Sequence, residues 1–181
     1  TPRIEFGSGK LKLLPKLLES YGPSVLLMTG KQSFIQSDHW DSLLLQFESA
    51  KIHWQHHIID KEPTPEMIDS IVANLQGSAF DAIVAIGGGS VMDAGKAVSA
   101  MLTMNGSVQD YLEGVGTKLV SGEKIPFIAV PTTSGTGSEA TKNAVISKIG
   151  SNGFKKSLRH DNYVPDLALV DPELTLNCPG Y

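Results

Sequence analysis

The sequence predicts an α/β protein, Rossmann-like, with a largely parallel sheet and helices on both faces. Three observations carry that expectation. Short apolar runs rich in β-branched residues (Ser24 to Thr29, Ala82 to Ile86, Pro126 to Val130, Leu167 to Val170) lack the alternation of a half-exposed sheet, so they suit strands covered on both faces. Segments with helical spacing of apolar residues separate most of the strands, which calls for right-handed crossovers. Two of the strands run directly into glycine-rich turns, Gly87-Gly88-Gly89-Ser90 and Pro131 to Glu139.

In chain order, Arg3 to Phe6 is predicted as a short strand and Gly7-Ser8-Gly9 as a turn. Lys10 to Tyr21 sets Leu11, Leu14, Leu17 and Leu18 on one helix face, with Pro15 in the first turns and Gly22-Pro23 as the stop. Ser24 to Thr29 is a buried strand ending in Gly30-Lys31-Gln32-Ser33. Ser37 to Ala50 follows as a helix capped by Asp38, with Leu43, Leu44 and Phe47 inward. Lys51 to Ile59 alternates like an edge strand, with Ile52, Trp54, His56 and Ile58 on one face. Thr64 caps a helix from Pro65 to Gln76, which Gly77 closes. After the strand Ala82 to Ile86, Ser90 is the expected cap of a helix from Val91 to Met104. A loop with an apolar patch (Val108, Tyr111, Leu112) leads to the strand Pro126 to Val130. Asn143 to Ser147 and Phe154 to Arg159 form a hairpin across Gly150 to Gly153. Leu167 to Val170 is the last buried strand, and Asp171-Pro172-Glu173 opens a short helix.

With 181 residues, the chain suffices for one domain that buries roughly 70% of its unfolded surface. A net charge of -4 and an acidic balance give no footprint for nucleic acid or an anionic membrane. No apolar run reaches the ~20 residues of a membrane span, and the amino end lacks a signal-peptide core. The single cysteine, Cys178, permits no internal disulfide and fits a reducing compartment, with the cytoplasm as the expected location.

The stretch Asp81 to Lys96 carries the chemistry. A strand, three glycines and a helix N-terminus bring unpaired N–H groups and the positive end of a helix dipole to one spot, a natural place for a phosphate. Ser90 and Asp93 also have capping-box spacing, so part of the pattern would serve a plain turn. A P-loop is excluded, because Ser90 and Ala97 stand where that motif needs Gly and Ser or Thr. In a doubly wound sheet the loops beyond the strand carboxyl ends converge on the ligand. Three polar or glycine-rich loops qualify: Thr29 to Ser33, Gly87 to Ser90 and Thr132 to Ser138. The first glycine loop would take a pyrophosphate, and the hydroxyls of Thr132, Thr133 and Thr136 would hydrogen-bond a base or ribose.

The motifs GGGSVMDAGK (Gly87 to Lys96), PTTSGTGSEAT (Pro131 to Thr141) and PDLALVDPELT (Pro165 to Thr175) resemble the iron-containing, or group III, alcohol dehydrogenases. The resemblance covers nearly the whole chain. It implies the dehydroquinate synthase-like amino-terminal nucleotide-binding domain over residues 1–181, with a carboxy-terminal helical, metal-binding domain absent from this chain. It further implies a nicotinamide cofactor, a small alcohol or aldehyde or ketone substrate, and a homodimer or higher oligomer. By the same resemblance Gly87, Gly88, Gly89 and Ser90 match the pyrophosphate loop, and Asp93 an acid near the nicotinamide half. Thr132, Thr133 and Thr136 match residues around adenine and ribose, Asn143 and Lys156 further cofactor contacts, and Leu174 an apolar contact to adenosine.

Two departures from the family pattern matter. Where many members carry an Asp at the end of the second strand, this chain has Gly30. A carboxylate about 4 Å from a ribose 2′-phosphate would repel it by up to ~4 kcal/mol per unit charge. Gly30 removes that repulsion, while Lys31 and Ser33 offer a cation and a donor, so NADP(H) is expected over NAD(H). Glu62 also replaces a common Asn ahead of Pro63-Thr64. The second departure is the absence of the family's metal ligands, one Asp and three His, which follow the last motif. The divalent metal, expected to be iron, belongs to the missing domain, and the chain alone is expected to show little or no turnover.

His53, His56 and His57 lack further ligands for an ion and read as an exposed edge-strand face, and Asp166 and Asp171 as turn caps. No catalytic or metal-ligating residue is therefore assigned within the chain. Same-fold alternatives are a maleylacetate reductase or a polyol-phosphate dehydrogenase, and outside enzymes a nucleotide-binding module.

Overall fold

The computed structural model describes residues 1–176, so Cys178 and Tyr181 lie outside the described residues. The element order is β1 (Arg3–Phe6), α1 (Leu14–Leu18), β2 (Ser24–Gly30), α2 (Asp38–Ser49), β3 (His53–Ile59), α3 (Pro65–Asn74), β4 (Ala82–Gly87), α4 (Gly89–Met101), β5 (Phe127–Pro131), β6 (Asn143–Lys148), β7 (Phe154–Arg159) and β8 (Leu167–Val170). Short 3-10 segments at Lys10–Leu13, Val108–Tyr111, Asp161–Tyr163 and Pro172–Thr175 connect them.

Six strands form one parallel sheet in the order β1-β8-β5-β4-β2-β3, and β6 and β7 form a separate antiparallel hairpin. After β2 the chain moves outward to β3 at the sheet edge, then returns to add β4, β5 and β8 on the other side of β2. The direction of strand addition therefore reverses between β2 and β4. A crevice opens beyond the carboxyl ends at such a reversal, which is where ligands of open α/β sheets lie.

The continuous apolar run of β4 has a direct cause. Ile83 and Ala85 face a core shared with α3 and α4, while Ala82, Val84 and Ile86 face a second core shared with α1 and α2. The sheet is thus covered on both faces, as its sequence requires. The hairpin contributes Ala144, Ile146 and Leu158 to the α4 side. Among the described residues no helix is long and apolar enough to cross a membrane.

Three local expectations are corrected. The helix foreseen from Lys10 to Tyr21 is a 3-10 turn followed by the short α1. Pro15 has no N–H to offer the Leu11 carbonyl, so the α-helix cannot run through it and begins with Pro15 in its first turn. Helix α2 is capped at Ser37 rather than Asp38, and the Ser37 hydroxyl donates to the Phe34 carbonyl (2.7 Å). Helix α4 is capped by Gly88, in extended conformation, which puts Ser90 inside the first turn and breaks the capping-box reading. Thr64 caps α3 as expected, accepting from the Met67 N–H at 3.2 Å.

Helix α4 lies unusually close to the sheet. A Cβ at Gly95 would fall 2.7 Å from Phe127 Cε2 and 2.9 Å from Ala85 Cβ, inside contact distance. Gly95→Ala is expected to lower stability by about 1–3 kcal/mol, because α4 must retreat from β4 and β5. Urea unfolding of the variant beside the parent protein measures this, and an unchanged midpoint would contradict the close packing.

Candidate nucleotide site

Strand register sets the site. Thr29 on β2 lies beside Ile86 on β4, and Gly87 lies beside Pro131 on β5, so the three polar loops start from adjacent strand ends. Val91, in the first turn of α4, is the wedge between them. A Cβ at Gly87 would fall 2.6 Å from Val91 Cγ2, which leaves glycine as the residue that fits. At Gly30 the same atom is 3.8 Å away, an ordinary contact.

The second and third glycines meet the threonine loop. The Cβ position of Gly88 is 3.4 Å from Thr133 Oγ1, and that of Gly89 is 3.3 Å from Thr136 Cγ2. The buried Thr132 donates its N–H to the Gly87 carbonyl at 2.9 Å, which staples the two turns together. The first N–H groups of α4, at Gly89 and Ser90, have no carbonyl partner within the helix. Gly89 and Ser90 line a cavity of about 460 Å³ between α4, the threonine loop, the Glu62-Pro63 turn and the β6–β7 hairpin.

Of the residues singled out from the sequence, Gly89, Ser90, Asp93 and Thr136 line this cavity. Gly87, Gly88, Thr132 and Thr133 build the turns behind it. Gly30 ends β2, and Lys31 and Ser33 are exposed in the turn that follows. Asn143 opens β6, and its carbonyl accepts from the Lys96 ammonium at 2.9 Å. The structure sets Lys156 and Leu174 apart from this group. Lys156 stands opposite Ile146 in the hairpin, on the Leu158 face, with its ammonium 3.5 Å from the Cβ position of Gly114. Lys155, opposite Ser147, is the lysine that lines the cavity. Leu174 is buried in the core beneath α1.

Sequence reasoning missed most of the hairpin's contribution (Val145, Ser147, Lys155), because strand alternation is read only once the hairpin's packing face is known. Glu62 enters the same rim, accepting from Ser147 Oγ at 3.0 Å and pairing with Lys155 at 3.4 Å. Lys96 was also missed, although it is the sole basic residue between Val91 and Met104. It is only 1% exposed. Burial pushes its ammonium down to about 8, against the pull of the Asp93 and Glu139 carboxylates. Burial pushes the Asp93 carboxyl up to about 6, opposed chiefly by the Lys96 charge and the Val145 N–H.

The histidines on β3 are less solvated than expected from an edge strand. His53 is exposed, but His56 and His57 are half-buried. His56 Nε2 is 2.8 Å from Thr29 Oγ1 and its ring packs on Trp40 with centroids 4.7 Å apart. Asp171 is fully buried and accepts from the N–H groups of Gly9, Leu11 and Glu173. Asp166 accepts from the Phe127 N–H. Among the described residues, no group of three or more His, Cys, Asp or Glu is gathered as a metal site.

A family model described as iron-containing alcohol dehydrogenase matches residues 1–172. The chain belongs to that family. Long-chain-alcohol dehydrogenase 1 of Geobacillus thermodenitrificans is 36% identical over 180 residues, covering 98% of this chain and 45% of the relative. The crystal structure of an archaeal halo-thermophilic alcohol dehydrogenase from a Red Sea brine pool superposes with a TM-score of 0.88 at 29% identity, covering 99% of this chain and 46% of that one. Sulfoacetaldehyde reductase from Bifidobacterium kashiwanohense, solved in complex with NAD+, gives a TM-score of 0.81 at 27% identity, with 98% and 46% covered. The chain therefore spans about half the length of the iron-containing alcohol dehydrogenases it matches.

Asp93 makes stability depend on pH. The folded chain holds its proton up to about pH 6, whereas the unfolded chain releases it near the ordinary aspartate value of 3.8. Over that window the folded state binds more protons, so this contribution to stability falls as pH rises. Asp93→Asn removes the slope and is expected to gain on the parent protein by about 2 kcal/mol between roughly pH 4 and pH 6. Urea midpoints of both proteins across the window test this, and parallel curves would refute it.

Proposed function

We propose that this chain is the dinucleotide-binding part of a metal-dependent alcohol dehydrogenase that prefers NADP(H). The bound nicotinamide would accept or supply the hydride that interconverts an alcohol and its carbonyl. The chain's own residues bind and orient. The N–H groups of Gly89 and Ser90, at the positive end of α4, receive the pyrophosphate, and the turns behind them are too tightly packed to move away. Thr136 and Ser138 offer hydroxyls along one side of the cavity, with Asp93 and Lys155 on the hairpin side. Among the described residues no group of three or more His, Cys, Asp or Glu is gathered to hold the metal.

The preference for NADP(H) rests on Gly30. It ends the strand beside the reversal point, next to Val91, and an exposed lysine follows it. Three relatives are named as NADH-dependent butanol dehydrogenases, among them butanol dehydrogenase B of Clostridium acetobutylicum. The preference is therefore a property of this turn rather than one borrowed from them. Family membership favours the enzyme over a stand-alone binding module.

Titration of the full-length protein with NADPH and NADH at matched salt tests the reading, with tighter NADPH binding expected. Gly30→Asp gives the sharper result, because the backbone there is not left-handed and the nearest atom to a new Cβ is at 3.8 Å. The variant acts through charge and is expected to weaken NADPH at least about tenfold more than NADH, or ~1.4 kcal/mol. Equal weakening of both cofactors would show that the 2′-phosphate does not lie at this turn.

A further inference from the structure

The ammonium of Lys96 is enclosed by oxygens from one short segment of chain. Its Nζ lies 2.9 Å from the Ser138 carbonyl, 2.8 Å from that of Thr141 and 2.9 Å from that of Asn143, with the Thr141 hydroxyl at 3.2 Å. An ammonium carries three donors and no acceptor, so the three carbonyls use them and the hydroxyl shares one. Neutral oxygens converging on a central positive charge are the surroundings that a monovalent cation takes inside a protein. A buried cation with this much partnership is a fixed point, whereas the same carbonyls without it would be polar groups turned into the core.

Besides Lys96, the segment from Ser138 to Asn143 is held at its far end, where the Lys142 carbonyl accepts from the His160 N–H at 3.4 Å, Lys142 pairs with Asp161 and Asn143 pairs with Arg159 at the start of β6. It is irregular until β6 begins, and its own turn bond runs from the Ala140 N–H to the Gly137 carbonyl at 3.0 Å. Ser138, at one end of the segment, lines the cavity, and so does Val145, two residues beyond the other end. Lys96 itself projects from α4, the helix that offers its N-terminus to the same cavity. One side chain therefore ties the anion-binding end of the site to the wall facing it.

We propose that Lys96 is a positioning residue of the nucleotide site: its ammonium stands where a monovalent cation would sit, and by holding Ser138 to Asn143 it shapes the wall against which the dinucleotide binds. This rests on the reading of the cavity as the dinucleotide site. The lysine touches no cofactor atom in this role. Its effect passes through the segment, and it depends on the positive charge rather than on filled volume.

The test uses the full-length protein and titration with NADPH and NADH. Lys96→Ala deletes the atoms from Cγ to Nζ, which propylammonium replaces. The parent protein is expected to bind, Lys96→Ala to bind about tenfold or more weakly, and propylammonium to restore most of the loss, whereas propan-1-ol, of equal length and no charge, does not. Parent-like affinity in Lys96→Ala overturns the proposal, and so does equal recovery with the alcohol and the amine. Thr141→Val keeps the lysine and removes its one hydroxyl acceptor, and is expected to weaken binding about threefold. Should Lys96→Ala not fold, unchanged affinity in Thr141→Val overturns the proposal in its place. If the parent protein binds neither dinucleotide, the nucleotide reading falls first and the positioning role with it.

Discussion

Helix α4 packs so closely on β4 and β5 that two of its contacts exclude any side chain, at Gly87 against Val91 and at Gly95 against Phe127 and Ala85. The shape of the candidate site depends on that approach. It brings the helix N-terminus, with Gly89 and Ser90 lining the cavity, down onto the strand ends where the sheet reverses direction. It also buries the helix on nearly every side from Val91 to Met101, between sheet, α3 and hairpin. A polar residue on this helix must find partners within the protein or line the cavity.

Asp93 and Lys96 show the two outcomes. Both sit on α4, three residues apart, and both are drawn toward their neutral forms by burial while each stabilises the other's charge. Lys96 has satisfied its protons with carbonyls of the adjoining segment. Asp93 remains at the cavity and is poised near neutrality of charge in mildly acidic solution. A buried charge with complete hydrogen bonding does little for net stability relative to an apolar substitute, but it does select one arrangement of the groups around it. Here the groups so arranged are the carbonyls of Ser138, Thr141 and Asn143.

The chain matches the iron-containing alcohol dehydrogenase family over nearly all its length but only about half the length of its relatives. Binding and orienting a dinucleotide needs a helix terminus, tight turns and hydroxyl donors, and these are present at the reversal between β2 and β4. Holding a metal needs several ligands at one point, and the described residues do not gather them. Glu62 and Lys155 pair with each other at the rim of the cavity.

Much of the fold was legible in the sequence, because buried parallel strands and amphipathic helices are written as local apolar patterns. All eight strands, the edge position of β3, the hairpin and the Thr64 cap follow from such patterns. The glycine junction at Gly87 and the threonine turn were legible for the same reason: a sharp turn and a close backbone approach demand particular residues at particular places. The sequence by itself therefore determined the class of fold and the strand ends that would converge. Only the tertiary structure decided which side chains complete the site. It selected Lys155 over its neighbour Lys156, withdrew Leu174 into the core, moved the α4 cap from Ser90 to Gly88 and enclosed Lys96 among the carbonyls of a segment 42 to 47 residues away. Those choices depend on which face of the hairpin meets α4 and how deeply the helix sinks into the sheet, and such long-range packing leaves no periodic mark on the chain.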